Sequence, residues 1–189
     1  MLTGLDPYRD SPCHCQLGNA YQVLAAWGVD VDTELPWIRP WLLRYQMADG
    51  GMNCDNDAYL VSDESPSSMV GTIAAFEAMF LYTPRPWTSE EKNFIDHGAR
   101  FLIERQLMYG SKTKYNASER ESAENWMKLC FPRFYLYDVL RGLNALLLWG
   151  EKTNQKIPRE AYSAVGENSV FLSKQWKNPE DLIKGHPNL

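Results

Sequence analysis

No run of eighteen apolar residues occurs in the 189-residue chain, so the sequence offers no candidate transmembrane helix. Lysine and arginine do not cluster either. The 19 basic residues lie scattered among 24 acidic ones, for a net charge of −5, and nucleic-acid binding has no electrostatic footprint. The opening segment MLTGLDPYRDSPCHC carries no apolar signal region. Cysteine is scarce, four residues in all, too few for a disulfide scaffold of this size. A reduced, cytoplasmic protein is therefore the expectation. Runs of strand-like alternation are also missing, which leaves an all-α class.

What the chain does have is apolar bulk. Hydrophobic residues make up 44% and charged residues 23%, the balance of a folded globular domain. Aromatics reach 13%, with seven tryptophans and ten tyrosines, which calls for an aromatic core or an aromatic-lined cavity. Apolar spacing and breakers predict helices over about 17–27, 36–47, 68–82, 89–109, 119–129, 134–149 and 158–175. Gly28, Gly50-Gly51 and Gly150 mark stops, and Thr88 to Glu91 has capping-box spacing. One domain over 1–176 and an irregular tail over 177–189 follow.

A pattern recurs along these helices. Trp41-Leu42-Leu43-Arg44-Tyr45-Gln46 is followed four residues later by Gly50, and Phe101-Leu102-Ile103-Glu104-Arg105-Gln106 by Gly110. Phe171-Leu172-Ser173-Lys174-Gln175 is a third, shorter copy. The copies fall at the end of every second long helix, so the repeating unit is a helical hairpin used three times. Gln46-Met47-Ala48-Asp49-Gly50-Gly51-Met52 resembles the Gln-x-x-Asp-Gly-Gly-aromatic element of the α/α-toroid superfamily, which includes squalene–hopene-type cyclases and protein prenyltransferase beta subunits; Met52 stands in the aromatic place. The segments MNCDNDAY, SSMVGTIAAFEAM and CFPRFYLYDVLRGLNAL resemble a bacterial prenyltransferase-like group. The resemblance spans about 17–175. It implies alternating outer and inner helices around a cavity, of which six to seven helices make about half a ring. It also implies an apolar, isoprenoid-like ligand.

Hairpin geometry brings candidate chemistry together. Cys13, His14 and Cys15 precede the first long helix, Cys54 follows the second, and Cys130 precedes the sixth. The start of one helix and the end of its antiparallel partner lie at the same end, so these residues share a rim. Thiolate and imidazole belong to the zinc ligand set, which makes zinc the candidate cofactor. The same cysteines also suit simple packing as small hydrophobes. The resemblance favours the metal, because prenyltransferases hold zinc with Asp, Cys and His.

Asp55 and Asp57 are the candidate catalytic carboxylates, since protonating an alkene needs an acid tuned by carboxyl neighbours. Ala58 interrupts the cyclase-type Asp-x-Asp-Asp pattern, and a solvated turn is the competing reading. Glu77 sits inside an apolar run, so it must be paired or face a polar cavity; Arg141 is its expected partner. Arg133, Tyr137, Asp138 and Arg141 are candidates for polar groups on one helix face, with an internal Asp138–Arg141 pair as the simpler alternative. Asp49 reads as a turn residue.

Three functional classes remain. The first is a prenyltransferase- or cyclase-like protein with an aromatic cavity. The second is a non-catalytic toroid relative that binds a partner or itself. The third is a carbohydrate-active α/α barrel with paired carboxylates. The first two differ in whether a closed cavity holds convergent polar groups. Half a ring leaves an apolar inner face to cover, and a symmetric homodimer covers it most simply. Sedimentation velocity at micromolar concentration is expected to show twice the chain mass; a monomer at high micromolar concentration would remove the idea.

Overall fold

The computed structural model describes residues 13–109, 114–115, 117–128 and 136–168. The regular elements among them are helical: α1 (His14–Ala26), α2 (Val31–Glu34), α3 (Ile38–Arg44), α4 (Met69–Leu81), α5 (Ser89–Glu104), α6 (Ala117–Ser122), α7 (Val139–Thr153) and α8 (Glu160–Asn168). Short 3-10 helices cover Asn56–Leu60 and Ala123–Met127. Extended backbone pairs, among the described residues, only at an isolated bridge between Met52 and Ser68. The all-α class is as the sequence predicts. Seven of the helices match predicted ones, and the one-turn α2 is additional.

Several boundaries move, each for a local reason. α1 begins at His14 rather than at residue 17, with Cys13 in the N-cap place. α3 starts beyond Pro36 and keeps Pro40 in its first turn, where a missing N–H costs nothing. α5 stops at Glu104, five residues short of the prediction, because Gln106 and Leu107 turn to φ values of 50° and 60°. α7 begins at Val139 rather than at 134, because the Asp138 side chain accepts from the Arg141 N–H and caps it. The Thr88–Glu91 capping box at the start of α5 forms as its spacing predicts. Gln175 and the third copy of the repeat lie outside the described residues, as does Gly110.

α4 is the centre. Its sequence is apolar nearly all round, and eleven of its thirteen residues are buried, as expected of a helix packed on every side. α1 lies along it in the same direction: Gly18 is beside Ala74, and Gln22 donates to the Ala74 carbonyl and to Glu77. A Cβ on Gly18 would lie 2.4 Å from the Ala74 carbonyl carbon, so these backbones touch and only glycine fits. α5 runs the opposite way, with Ser67 near Phe101 and Phe76 against Gly98. α7 opposes α5 in turn, since Tyr137 reaches Leu107 and Trp149 reaches Asp96. α3 opposes α1: Arg39 at its start meets Tyr21, and Trp41 reaches back to His14. Helix direction therefore alternates along the chain of long helices.

Two polar networks stitch the helices together. Arg141 donates to Glu77 at 2.6 and 3.0 Å, to the Leu136 carbonyl at 3.0 Å and to Asn19 at 3.2 Å. The Glu77–Arg141 pairing is the one the sequence predicts. At the opposite end, buried Arg39 meets Asp32, Tyr21, Thr83 and Glu91. Arg85 forks onto Glu91 with two 2.8 Å bonds and holds its carboxyl down to about 2.

Removing one partner of a buried ion pair strands the other charge, which typically costs about 3–5 kcal/mol. Arg141→Ala is expected to lose stability on that scale in urea unfolding. Replacing both partners, with Glu77→Leu and Arg141→Met, should lose much less than the sum of the single changes. Additive losses would show that the pair is not coupled.

Candidate metal centre

Cys54 reaches the start of α1 through a loop held at nearly every residue. Just beyond α3, the Gln46 side-chain amide donates to the Gly50 carbonyl at 2.9 Å and to the Phe94 carbonyl in α5 at 2.8 Å. Gln106 occupies the same place after α5, one residue beyond the C-cap in both cases. Asp49 accepts from the Gly51 N–H at 3.2 Å, from the Ser67 hydroxyl, and from Arg105 at 3.1 Å; it is the turn residue the sequence indicates. Gly50 has φ +87°, and a Cβ there would lie 2.2 Å from the His97 carbonyl oxygen, so both sterics and conformation demand glycine. Beyond the turn, Met52 accepts from the Ser68 N–H at 2.8 Å, and the Asn53 amide donates to the Pro66 carbonyl at 2.6 Å.

The result is a cluster of three thiols. The sulfurs of Cys13, Cys15 and Cys54 lie within 4.8 Å of one another. Cys13 and Cys15 are 3.1 Å apart, and the Cys15 N–H donates to the Cys54 sulfur at 3.4 Å. All three are free cysteines; Cys15 is buried and the other two are half-buried. The Cys54 sulfur and burial push the Cys15 thiol well up, while burial and the Cys15 side chain push Cys13 up. The shared rim is thus present for three of the four cysteines. Cys130 lies outside the described residues.

His14 is not part of the sulfur cluster. Its ring is buried and faces the other way, against Trp41, Tyr45 and Tyr59 at centroid distances of 6.5, 5.6 and 5.5 Å. Nδ1 lies 2.5 Å from the Asn53 carbonyl oxygen, and Nε2 is 3.1 Å from the Trp41 indole nitrogen. Both nitrogens have partners, so the imidazole is not offered to a metal in this arrangement. Burial lowers its pKa.

The other candidates are dispersed. Asp55 is exposed and caps the 3-10 helix, accepting from the Asp57 N–H at 2.9 Å and from the Tyr115 hydroxyl at 2.7 Å. That hydroxyl, followed by the Asp57 N–H, lowers the Asp55 pKa, the wrong direction for a general acid. Asp57 is also exposed. Glu77 and Arg141 meet, but as a pair linking helices. Tyr137 is buried and donates to the Leu107 carbonyl at 2.6 Å. Asp138 is a helix cap, so Tyr137 and Asp138 precede α7 instead of sharing its face as the sequence suggests. Arg133 lies outside the described residues. A half-open depression of about 370 Å³ near the C-terminal ends of α1 and α4, lined by Tyr21, Asp32 and Tyr82 among others, contains none of these candidates.

Sequence reasoning missed Asn53, Tyr59 and Trp41. Asn53 adjoins Cys54, but its bonds to Tyr59, Pro66 and His14 join residues 6, 13 and 39 positions away, beyond any local pattern. Comparison with protein-family models, with curated proteins and with solved structures found no match for this chain.

The capping geometry at Asp55 gives a direct test. Tyr115→Phe removes the hydroxyl that stabilises the carboxylate, so the Asp55 pKa should rise toward its ordinary value of 3.8. A lowered folded-state pKa contributes stability above the unfolded pKa that is lost as pH falls through the folded one. The variant should lose that contribution at higher pH than the parent. Carboxyl NMR titration reads the shift, and an unchanged Asp55 would refute the contact.

Proposed function

We propose that this chain is a thiolate metal-binding protein of α/α-toroid hairpin type, with Cys13, Cys15 and Cys54 as zinc ligands at one rim. The observation that carries this reading is the convergence of three thiols from segments about forty positions apart. The fit is geometric and chemical. A tetrahedral zinc with Zn–S bonds of about 2.3 Å would have sulfurs about 3.8 Å apart; here Cys13 and Cys15 are 3.1 Å apart and all three sulfurs lie within 4.8 Å of one another. Cys13, Cys15 and Cys54 would hold the zinc, and the metal would supply Lewis acidity at this rim. Binding requires thiolates, so loading releases protons. The N-terminal end of α1, on which Cys13 and Cys15 sit, favours negative charge. Alternating helix direction and the matching places of Gln46 and Gln106 support the hairpin-repeat part of the reading.

A second reading, an apolar isoprenoid-like ligand, draws support from the rings of Trp37, Trp41, Tyr45 and Tyr59. They form a half-buried cluster close to the thiols, with Trp41 and Tyr45 at 4.5 Å. Quenching of tryptophan fluorescence by a farnesyl analogue, lost in Trp41→Phe, would favour it.

The metal test is elemental. Protein purified without added metal is expected to carry stoichiometric zinc, and Cys54→Ser should lose it. Chelation should speed hydrogen exchange first at the start of α1 and in the Gly50–Cys54 loop. Absence of stoichiometric metal, with all three thiols freely reactive in the native protein, would leave the cysteines as packing residues.

A further inference from the structure

His14 lies between two of the thiols in sequence, yet it turns its ring away from them. Its two nitrogens make different demands. The Trp41 indole N–H can only donate, so the Nε2 it faces at 3.1 Å must accept and carries no proton. The neutral ring then has its proton on Nδ1, which points at the Asn53 carbonyl oxygen 2.5 Å away. Trp41 thereby selects the tautomer that can hold Asn53.

Asn53 is the residue before Cys54, and its peptide is held on both sides. Its N–H donates to the Tyr59 hydroxyl at 3.0 Å, and that hydroxyl lies 3.2 Å from the Asn53 carbonyl and 3.1 Å from His14 Nδ1. The Asn53 side chain ties back to the Pro66 carbonyl and to the Asp55 N–H at 2.8 Å. Between the two cysteine-bearing segments, then, the buried imidazole forms a cross-link a few bonds from every sulfur. The Cys15 N–H also contacts the Cys54 sulfur at 3.4 Å, a weak acceptor.

We propose that His14 is a positioning residue of the thiol site: by gripping the Asn53 carbonyl, it sets the Cys54 sulfur opposite Cys13 and Cys15. The inference rests on the thiolate reading for its consequence in metal affinity, but the placement of the sulfurs is testable without metal. Partners of this kind, one bond removed from the ligands, typically change metal affinity about 10–100-fold when removed.

Three full-length variants test it. His14→Phe keeps a ring but has no donor. His14→Asn keeps an N–H in the place of Nδ1. Trp41→Phe releases the tautomer. In reduced, metal-free protein, the thiol-bridging reagent dibromobimane should couple Cys54 to Cys13 or Cys15 in the parent and in His14→Asn, with mass mapping to locate the bridge. The yield should fall sharply in His14→Phe and partly in Trp41→Phe. Zinc affinity, measured by competition with cobalt, should drop about 10–100-fold in His14→Phe, and the thiolate-to-cobalt charge-transfer bands should weaken. His14→Asn should stay near the parent. Thermal melting of each metal-free variant reads general stability separately.

Equal bridging and equal zinc affinity in His14→Phe would overturn the proposal. So would losses in His14→Asn as large as those in His14→Phe, which would mark the ring as packing. A parent that is bridged but binds no zinc would overturn the zinc reading while leaving the positioning role intact.

Discussion

A carboxylate in the middle of the most buried helix constrains everything around it. Glu77 cannot be left alone in an apolar environment, and its compensation comes from two other helices, Arg141 in α7 and Gln22 in α1. Arg141 in turn reaches Asn19, whose amide holds the Cys15 carbonyl at 2.7 Å. A single polar chain thus runs from α4 through α7 to the thiol end of α1. The Gly18 contact sets how close α1 stands, and this network sets where along α4 it rests. Such a pair adds little net stability compared with an apolar substitute of the same shape. Its value is in permitting one register.

The thiol site inherits that register. α1 brings Cys13 and Cys15, but Cys54 arrives on a loop that has no helix of its own to fix it. The loop is held through its polar atoms: Gln46 on Phe94, Asp49 on Ser67 and Arg105, Asn53 on Pro66. Gly50 lets the backbone lie against His97. The Gln-x-x-Asp-Gly-Gly element therefore acts as a fastening between the end of α3 and the backbone of α5. The chemistry it positions begins only where it ends.

Much of this was legible in residue order, for reasons that are physical. The apolar run of α4 and the capping spacing at Thr88 and Glu91 are local, so they show in the sequence. The Glu77–Arg141 pairing was legible because a carboxylate inside an apolar run has few solutions. Convergence of Cys13, Cys15 and Cys54 followed from the antiparallel turn alone. The helix ends were less legible: positive φ at Gln106 and Leu107 ends α5 with no glycine or proline to announce it. His14 was misread as a ligand candidate because composition reports a donor type and not its direction. Only the folded arrangement shows Trp41 and Asn53 occupying both nitrogens. Asp55 and Asp57 looked like an acid pair by spacing, whereas the carboxylate is in use as a cap.

The parallel course of α1 and α4 also bears on the order in which the chain assembles. Two parallel neighbours need a long connection, here the stretch from Trp27 through Ser68, and the contacts that lock them join residues 52 and 55 positions apart. On the ribosome, α1 is made well before the helix that buries it, so its docking must wait for α4 to emerge. Until then Cys13 and Cys15 are a thiol pair on a helix that lacks the neighbour it packs against in the folded protein. A metal or oxidant that meets these thiols before α4 docks meets them without the packing that later buries Cys15.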